Sequence, residues 1–96
     1  MIKYSILITT KNRLEDLQLT LQKIAHLLQR EDVECIVYDD GSTDNTSEFL
    51  KVNHTNIQLL TNEKSKGYIY NRNYLLNNCK GKYAISLDDD SNFITE

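Results

Sequence analysis

Four short apolar runs alternate with three longer segments of helical spacing along this chain. Residues 2–9 are apolar and β-branched with no polar alternation, the pattern of a parallel strand covered on both faces. Thr9, Thr10, Lys11 and Asn12 interrupt it, and Asn12 with Glu15 three residues on has the form of a capping box. Leu14, Leu17, Leu21, Ile24, Ala25 and Leu28 then recur on one helical face, opposite Glu15, Gln18, Gln22 and Lys23, which predicts a helix over 13–29. A second buried-type strand is expected over 33–38, closed by Asp39-Asp40-Gly41-Ser42-Thr43-Asp44. There Gly41 frees the backbone for a tight turn, and Thr43 or Asp44 caps a short helix reaching about Val52. A third strand is expected over 57–60. A third helix follows over 67–79, with Ile69, Leu75, Leu76 and Cys79 inward and Gly81 as its C-cap, before a fourth strand over 82–87.

The order β-α-β-α-β-α-β predicts an α/β fold: a Rossmann-like three-layer sandwich, its mainly parallel sheet joined by right-handed crossovers with helices on both faces. A strand order of 3-2-1-4 sets the second and fourth strands on either side of the first. With no proline, internal repeat or low-complexity linker, the 96 residues read as one small domain.

Composition narrows the function classes. A net charge of −3, a pI near 5.3 and scattered basic residues argue against a nucleic-acid surface. No apolar run approaches the ~18 residues of a membrane span, and the N-terminus lacks the pattern of a signal peptide. Cys35 and Cys79 have no metal-ligand spacing with each other or with His26 and His54. They read as reduced thiols of a cytoplasmic protein, placed at the inner face of the membrane in a full-length setting. His26 and His54 read as solvated side chains.

The acidic residues carry the candidate chemistry. The fourth strand runs into Asp88-Asp89-Asp90, and the second ends in Asp39-Asp40. Adjacent carboxylates raise one another's pKa unless a cation or solvent relieves them, and a lone triplet is by itself a solvated acidic turn. In an open parallel sheet, however, ligands bind outside the carboxyl ends of the strands where the strand order reverses. Strand order 3-2-1-4 would gather these acids around Thr9 in one crevice. That arrangement suits Mg²⁺ or Mn²⁺ shared with phosphate oxygens. The first turn has no glycine, which excludes a dinucleotide fingerprint or a Walker loop. From the residues alone, the chemistry is that of a metal-dependent, phosphate-bearing ligand.

Four segments, in order, resemble the family 2 glycosyltransferases. Ser5-Ile6-Leu7-Ile8-Thr9-Thr10-Lys11-Asn12-Arg13 is similar to the opening strand and turn, and residues 36–44 (Ile-Val-Tyr-Asp-Asp-Gly-Ser-Thr-Asp) to the second-strand signature. Gly67, Asn71-Arg72-Asn73 and Gly81-Lys82-Tyr83 resemble the helix leading to the D-x-D strand, with Asp88-Asp89-Asp90 as the D-x-D itself. The resemblance implies a glycosyltransferase A fold and a nucleotide-sugar donor, most often a UDP-sugar. It also implies inverting transfer to a carbohydrate or lipid-linked acceptor, as in polysaccharide biosynthesis. Thr9 and Asp40 would contact the nucleoside, with Asp40 accepting from the base, and Arg13 would lie near the donor. Asp90 and Asp88 would ligate the metal, Asp88 or Asp89 lying nearer the ribose. Asp39 belongs to the donor site or points into its own turn. Arg72 reaches the diphosphate or pairs with the acidic cluster.

In the family the catalytic base lies beyond the D-x-D strand, and no residue up to Glu96 is assigned that role. The chain therefore reads as a donor-binding subdomain without its acceptor half, and its fourth strand as an edge through which copies self-associate. Three alternatives follow from the same residues. A receiver-type phosphoacceptor domain carries its acids after the first and third strands. A nucleotidyltransferase opens with a glycine-rich loop. A catalytically inactive nucleotide-binding module would share every feature above.

Overall fold

The structure, a computed structural model, describes residues 2–53 and 57–88. Among them the elements run β1 (Tyr4–Thr10), α1 (Leu14–Lys23), α2 (Ala25–Leu28), β2 (Val33–Asp39), α3 (Thr46–Asn53), β3 (Gln58–Thr61), α4 (Tyr68–Asn78) and β4 (Tyr83–Asp88). All strand pairings are parallel, in the order β3-β2-β1-β4. The α/β architecture and the strand order are those the alternation predicts.

The two faces of the sheet are buried unequally. Ile6 and Ile8 of β1 and Cys35 and Val37 of β2 meet Leu17 and Leu21 of α1, Ile24 and Leu50 of α3 in the larger core. Leu7, Ile36 and Tyr38 face the other way onto Leu75 of α4. Consecutive strand residues alternate between these clusters as the pleat requires. β4 is an edge of the described sheet, and Tyr83, Ala84 and Ser86 are exposed, so this strand is less covered than its apolar sequence suggests.

Several boundaries and inward positions differ from expectation. The first helix is not continuous: Ile24, fully buried, separates α1 from α2, and the chain tightens as the Leu27 amide donates to the Ile24 carbonyl at 2.8 Å. Ala25 is exposed as a result of that break in phase. Asn12 is not the N-cap of α1. Arg13 occupies that position without a side-chain cap, and Asn12 adopts φ 54°. On α4 the fully buried residues are Asn71 and Leu75, whereas Ile69 and Leu76 are exposed. The apolar pattern here misleads because a polar group, Asn71, is needed inside.

Gly81 is likewise not a C-cap. α4 ends at Asn78, with an extended Cys79 after it. A Cβ at position 81 would lie 2.6 Å from the Ser5 nitrogen and 2.8 Å from the Tyr4 carbonyl carbon, so glycine is required for close approach to β1. The Gly81 amide donates to the Ser5 hydroxyl at 2.7 Å, and Ser5 in turn donates to buried Glu34, which also accepts the Lys80 amide. This network fixes the α4–β4 connection at the end of the sheet away from the strand carboxyl ends.

Candidate functional site at the carboxyl ends of the strands

The register decides what meets at the strand ends. Thr9 lies between Tyr38 of β2 and Asp88 of β4, and Thr10 is level with Asp39. Thr9 is half-buried and Thr10 buried. β1→α1→α2→β2 and β2→α3→β3 wind away from β1 in one direction, and β3→α4→β4 returns to its other side. The strand order therefore reverses between β1 and β4, beside Thr9.

The loop after β2 is wired internally. Asp39, 2% exposed, accepts the Ser42 amide and hydroxyl on Oδ1 and the Ser47 hydroxyl on Oδ2 at 2.6 Å. It thus points into its own turn and ties that turn to α3. Asn12 Oδ1 accepts the amides of Thr43 and Asp44, while the Asn12 amide donates to the Ser42 hydroxyl at 2.9 Å. Asp44 accepts the Thr46 amide at 3.1 Å and the Thr46 hydroxyl, holding the start of α3 as its sequence position suggests. Gly41, at φ +74°, makes the turn, and a Cβ there would lie 3.1 Å from the Ser65 nitrogen.

Asp40 is more deeply engaged. Its Oδ1 accepts from Asn62 Nδ2 at 2.9 Å and the Lys66 amide at 2.7 Å, and its Oδ2 accepts from the Ser65 hydroxyl at 2.6 Å and the Gly67 amide at 3.0 Å. Asn62 Nδ2 also donates to Asn71 Oδ1 at 2.9 Å, and the Tyr38 hydroxyl donates to Asn62 Oδ1 at 3.0 Å. Burial alone would push the Asp40 carboxyl up. Donors from Ser65, Asn62, Lys66 and the nearby Asn71 amide outweigh it and hold the carboxyl well below the usual carboxylate range. Asn71 Nδ2 approaches without closing a hydrogen bond and has no partner. Asn71 falls in a segment singled out by resemblance, without its buried role, whereas Asn62 and Ser65 belong to no motif in the sequence. The only signal for Asn62 and Ser65 is a polar loop running into Gly67.

The two candidate arginines sit on the surface. Arg13 makes a two-nitrogen contact with Asp16 at 3.0 and 3.2 Å, on a pocket of roughly 640 Å³ at the start of α1 that Asn12, Glu15 and Asp44 also line. Arg72 donates to the Tyr68 hydroxyl at 3.4 Å and lies over that ring. Tyr74 packs edge-to-face on Tyr38 with ring centroids 5.6 Å apart, and Lys66 lies over Tyr70, so these tyrosines serve packing around α4.

Among the described residues no three His, Cys, Asp or Glu side chains form a group able to hold a metal ion. Asp39 and Asp40 do not fit that role, since their oxygens already accept from protein donors. Of the D-x-D triplet, the backbone of Asp88 ends β4 beside Thr9. Its side chain, Asp89 and Asp90 lie outside the described residues, as does His54. Both cysteines are free, and no described helix is long and apolar enough to cross a membrane.

A parallel sheet of order 3-2-1-4, reversing beside β1, is shared with glycosyltransferases of the glycosyltransferase A fold. Residues 5–96 match the family described as glycosyl transferase family 2, and the chain belongs to that family. Solved structures agree on the fold. A mannosyltransferase from Pyrobaculum calidifontis, PcManGT, in complex with GDP-Man and Mn²⁺, superposes with a TM-score of 0.78 at 22% identity over 92% of this chain. S. aureus TarS 1–349 in complex with UDP-GlcNAc superposes with a TM-score of 0.72 at 23% identity over 93%. The chain spans 27% of each of those two proteins. A search of the curated proteins returned no match.

Proposed function

We propose that this chain is the donor-binding portion of an inverting glycosyltransferase that uses a nucleotide-diphosphate sugar, with UDP-sugar as the first candidate. The single observation that supports this most is the register of β1, with Thr9 set between the end of β2 and Asp88 at the point of strand reversal. The neighbours bound to GDP-Man and UDP-GlcNAc lend the ligand class. On this reading Thr9 borders the nucleoside, Arg13 lies near the donor, and Asp88 or Asp89 approaches the ribose. Arg72 meets the diphosphate, and Asp39 enters only through the turn it organises. Asp90 and Asp88 would hold Mn²⁺ or Mg²⁺, which would supply Lewis-acid charge neutralisation at the donor's diphosphate. The acceptor is a carbohydrate or lipid-linked hydroxyl, and none of the described residues is assigned as the base that deprotonates it.

Calorimetric titration with UDP, with and without Mn²⁺, tests this on the chain and on Asp90→Asn. Metal-dependent binding that the substitution abolishes is the expected result. Tight binding that ignores the metal would overturn the role of Asp90.

A further inference from the structure

The Asp40 carboxylate meets four protein donors, and such a group has about four lone-pair positions in all. The resemblance implies that Asp40 accepts from the donor's base, and the inference below rests on that donor-site reading. A base then finds a position on Asp40 only where one protein donor gives way.

The four donors are not equally held. Asn62 is buried; its main-chain amide donates to the Asp39 carbonyl and its Oδ1 accepts from the Tyr38 hydroxyl, both at 3.0 Å. Its Nδ2 is thereby fixed against β2 from two sides. Lys66 and Gly67 donate through main-chain amides immediately before α4, whose first turn closes as the Asn71 amide donates to the Gly67 carbonyl at 3.2 Å. Withdrawing either amide would displace the start of the helix. Ser65 differs from all three. It is exposed, and it reaches Asp40 Oδ2 only through its hydroxyl, at 2.6 Å. Its main chain is packed on Gly41, where a Cβ would lie 3.1 Å from the Ser65 nitrogen. Rotation about one side-chain bond, a fast event at an exposed residue, frees that acceptor position without moving backbone. The carboxylate is not stranded by it. Three donors stay, and buried Asn71, which accepts from Asn62 at 2.9 Å, carries an amide with no partner.

We propose that Ser65 is a specificity-determining residue of the donor site: its hydroxyl holds the position on Asp40 Oδ2 that an N–H of the base takes, and it turns out to solvent when the base arrives. Ser65 thus lowers affinity for a base-bearing diphosphate and leaves that for a bare diphosphate untouched.

UDP and inorganic pyrophosphate, each with Mn²⁺, are titrated into the unsubstituted chain, Ser65→Ala and Ser65→Thr. Removing the competing hydroxyl should tighten UDP by about fivefold in Ser65→Ala, the equivalent of one ordinary hydrogen bond. Pyrophosphate should bind all three proteins alike, and Ser65→Thr, which keeps the hydroxyl, should bind UDP as the unsubstituted chain does. UDP affinity that is unchanged or weaker in Ser65→Ala would overturn the proposal while leaving the donor-site reading intact. Equal tightening of UDP and pyrophosphate would also overturn it, because the effect would then not involve the base. Amide hydrogen exchange gives an independent readout: Lys66 and Gly67 should stay protected when UDP binds. Faster exchange at both on adding UDP would show the whole segment giving way, against a role confined to the hydroxyl. If neither ligand binds any of the three proteins, the donor-site reading fails and the proposal falls with it.

Discussion

The side-chain oxygen of Asn12 accepts the amides of both Thr43 and Asp44, at 2.7 and 3.2 Å, across 31 and 32 residues of sequence. The β1–α1 turn and the loop after β2 are thereby one unit. Asn12 also holds φ 54°, a conformation asparagine tolerates better than alanine. Asn12→Gly should cost about 1–2 kcal/mol for the lost bonds, and Asn12→Ala about 1 kcal/mol more for the backbone. Urea denaturation of the two variants checks the order; equal losses would mean the backbone conformation contributes nothing.

Acid should destabilise the protein through Asp40. Burial disfavours its charge, but hydrogen bonds from Ser65, Asn62 and the Lys66 amide prevail, so its folded pKa lies below its unfolded value. A depressed carboxylate contributes stability in full above the unfolded pKa of about 4 and loses it as pH falls toward the folded value. The urea midpoint of the unsubstituted chain should therefore fall between about pH 5 and pH 2. Asp40→Asn, weaker at neutral pH, should show a shallower fall. Parallel pH profiles for the two proteins would contradict this origin of the acid sensitivity.

The glycines should fail for different reasons. Gly81→Ala drives a methyl into the backbone of Tyr4 and Ser5 and should cost at least about 2 kcal/mol, with a shift of the α4–β4 connection. Gly67→Ala meets no atom and should cost about 1–2 kcal/mol through its positive φ alone. Trimming Ser5 to glycine should partly restore Gly81→Ala by relieving the hydroxyl contact, and should do nothing for Gly67→Ala. Thermal melts of the single and double variants read this directly.

The two thiols should be chemically distinct. Burial, with Glu34 beside it, pushes the Cys35 thiol up to about 12, whereas Cys79 is partly exposed. The thiolate is the reactive form. At pH 8 a disulfide exchange reagent such as DTNB should therefore take up one equivalent from the folded protein and the second only in urea. Two rapid equivalents under folding conditions would show that Cys35 is not sealed in the core.

Much of the architecture was legible in residue order because it depends on local periodicity. Apolar runs without alternation at positions 2–9 and 33–38 could only be strands covered on both faces, and their separation by helices dictates a parallel sheet. Crossover handedness leaves the strand order open; the order 3-2-1-4, taken as an expectation, is the one the structure has, and with it Thr9 meets the ends of β2 and β4. The acids at those ends marked the side of the sheet on which the donor site is proposed.

Which polar atoms remain available there was settled by tertiary structure. Asn12 reads as a helix cap and is instead a bridge, because the nearest amides in space belong to Thr43 and Asp44. Asn71 replaces Ile69 and Leu76 inside α4, because Asn62 and Asp40 lie beneath it. Asp39 and Asp40 look alike in sequence, yet one closes its own turn and the other anchors a segment more than twenty residues away. Sequence fixes a side chain's hydrogen-bonding capacity and, through the pleat, the face it occupies. Which donors spend that capacity depends on chain segments brought together only when the sheet closes.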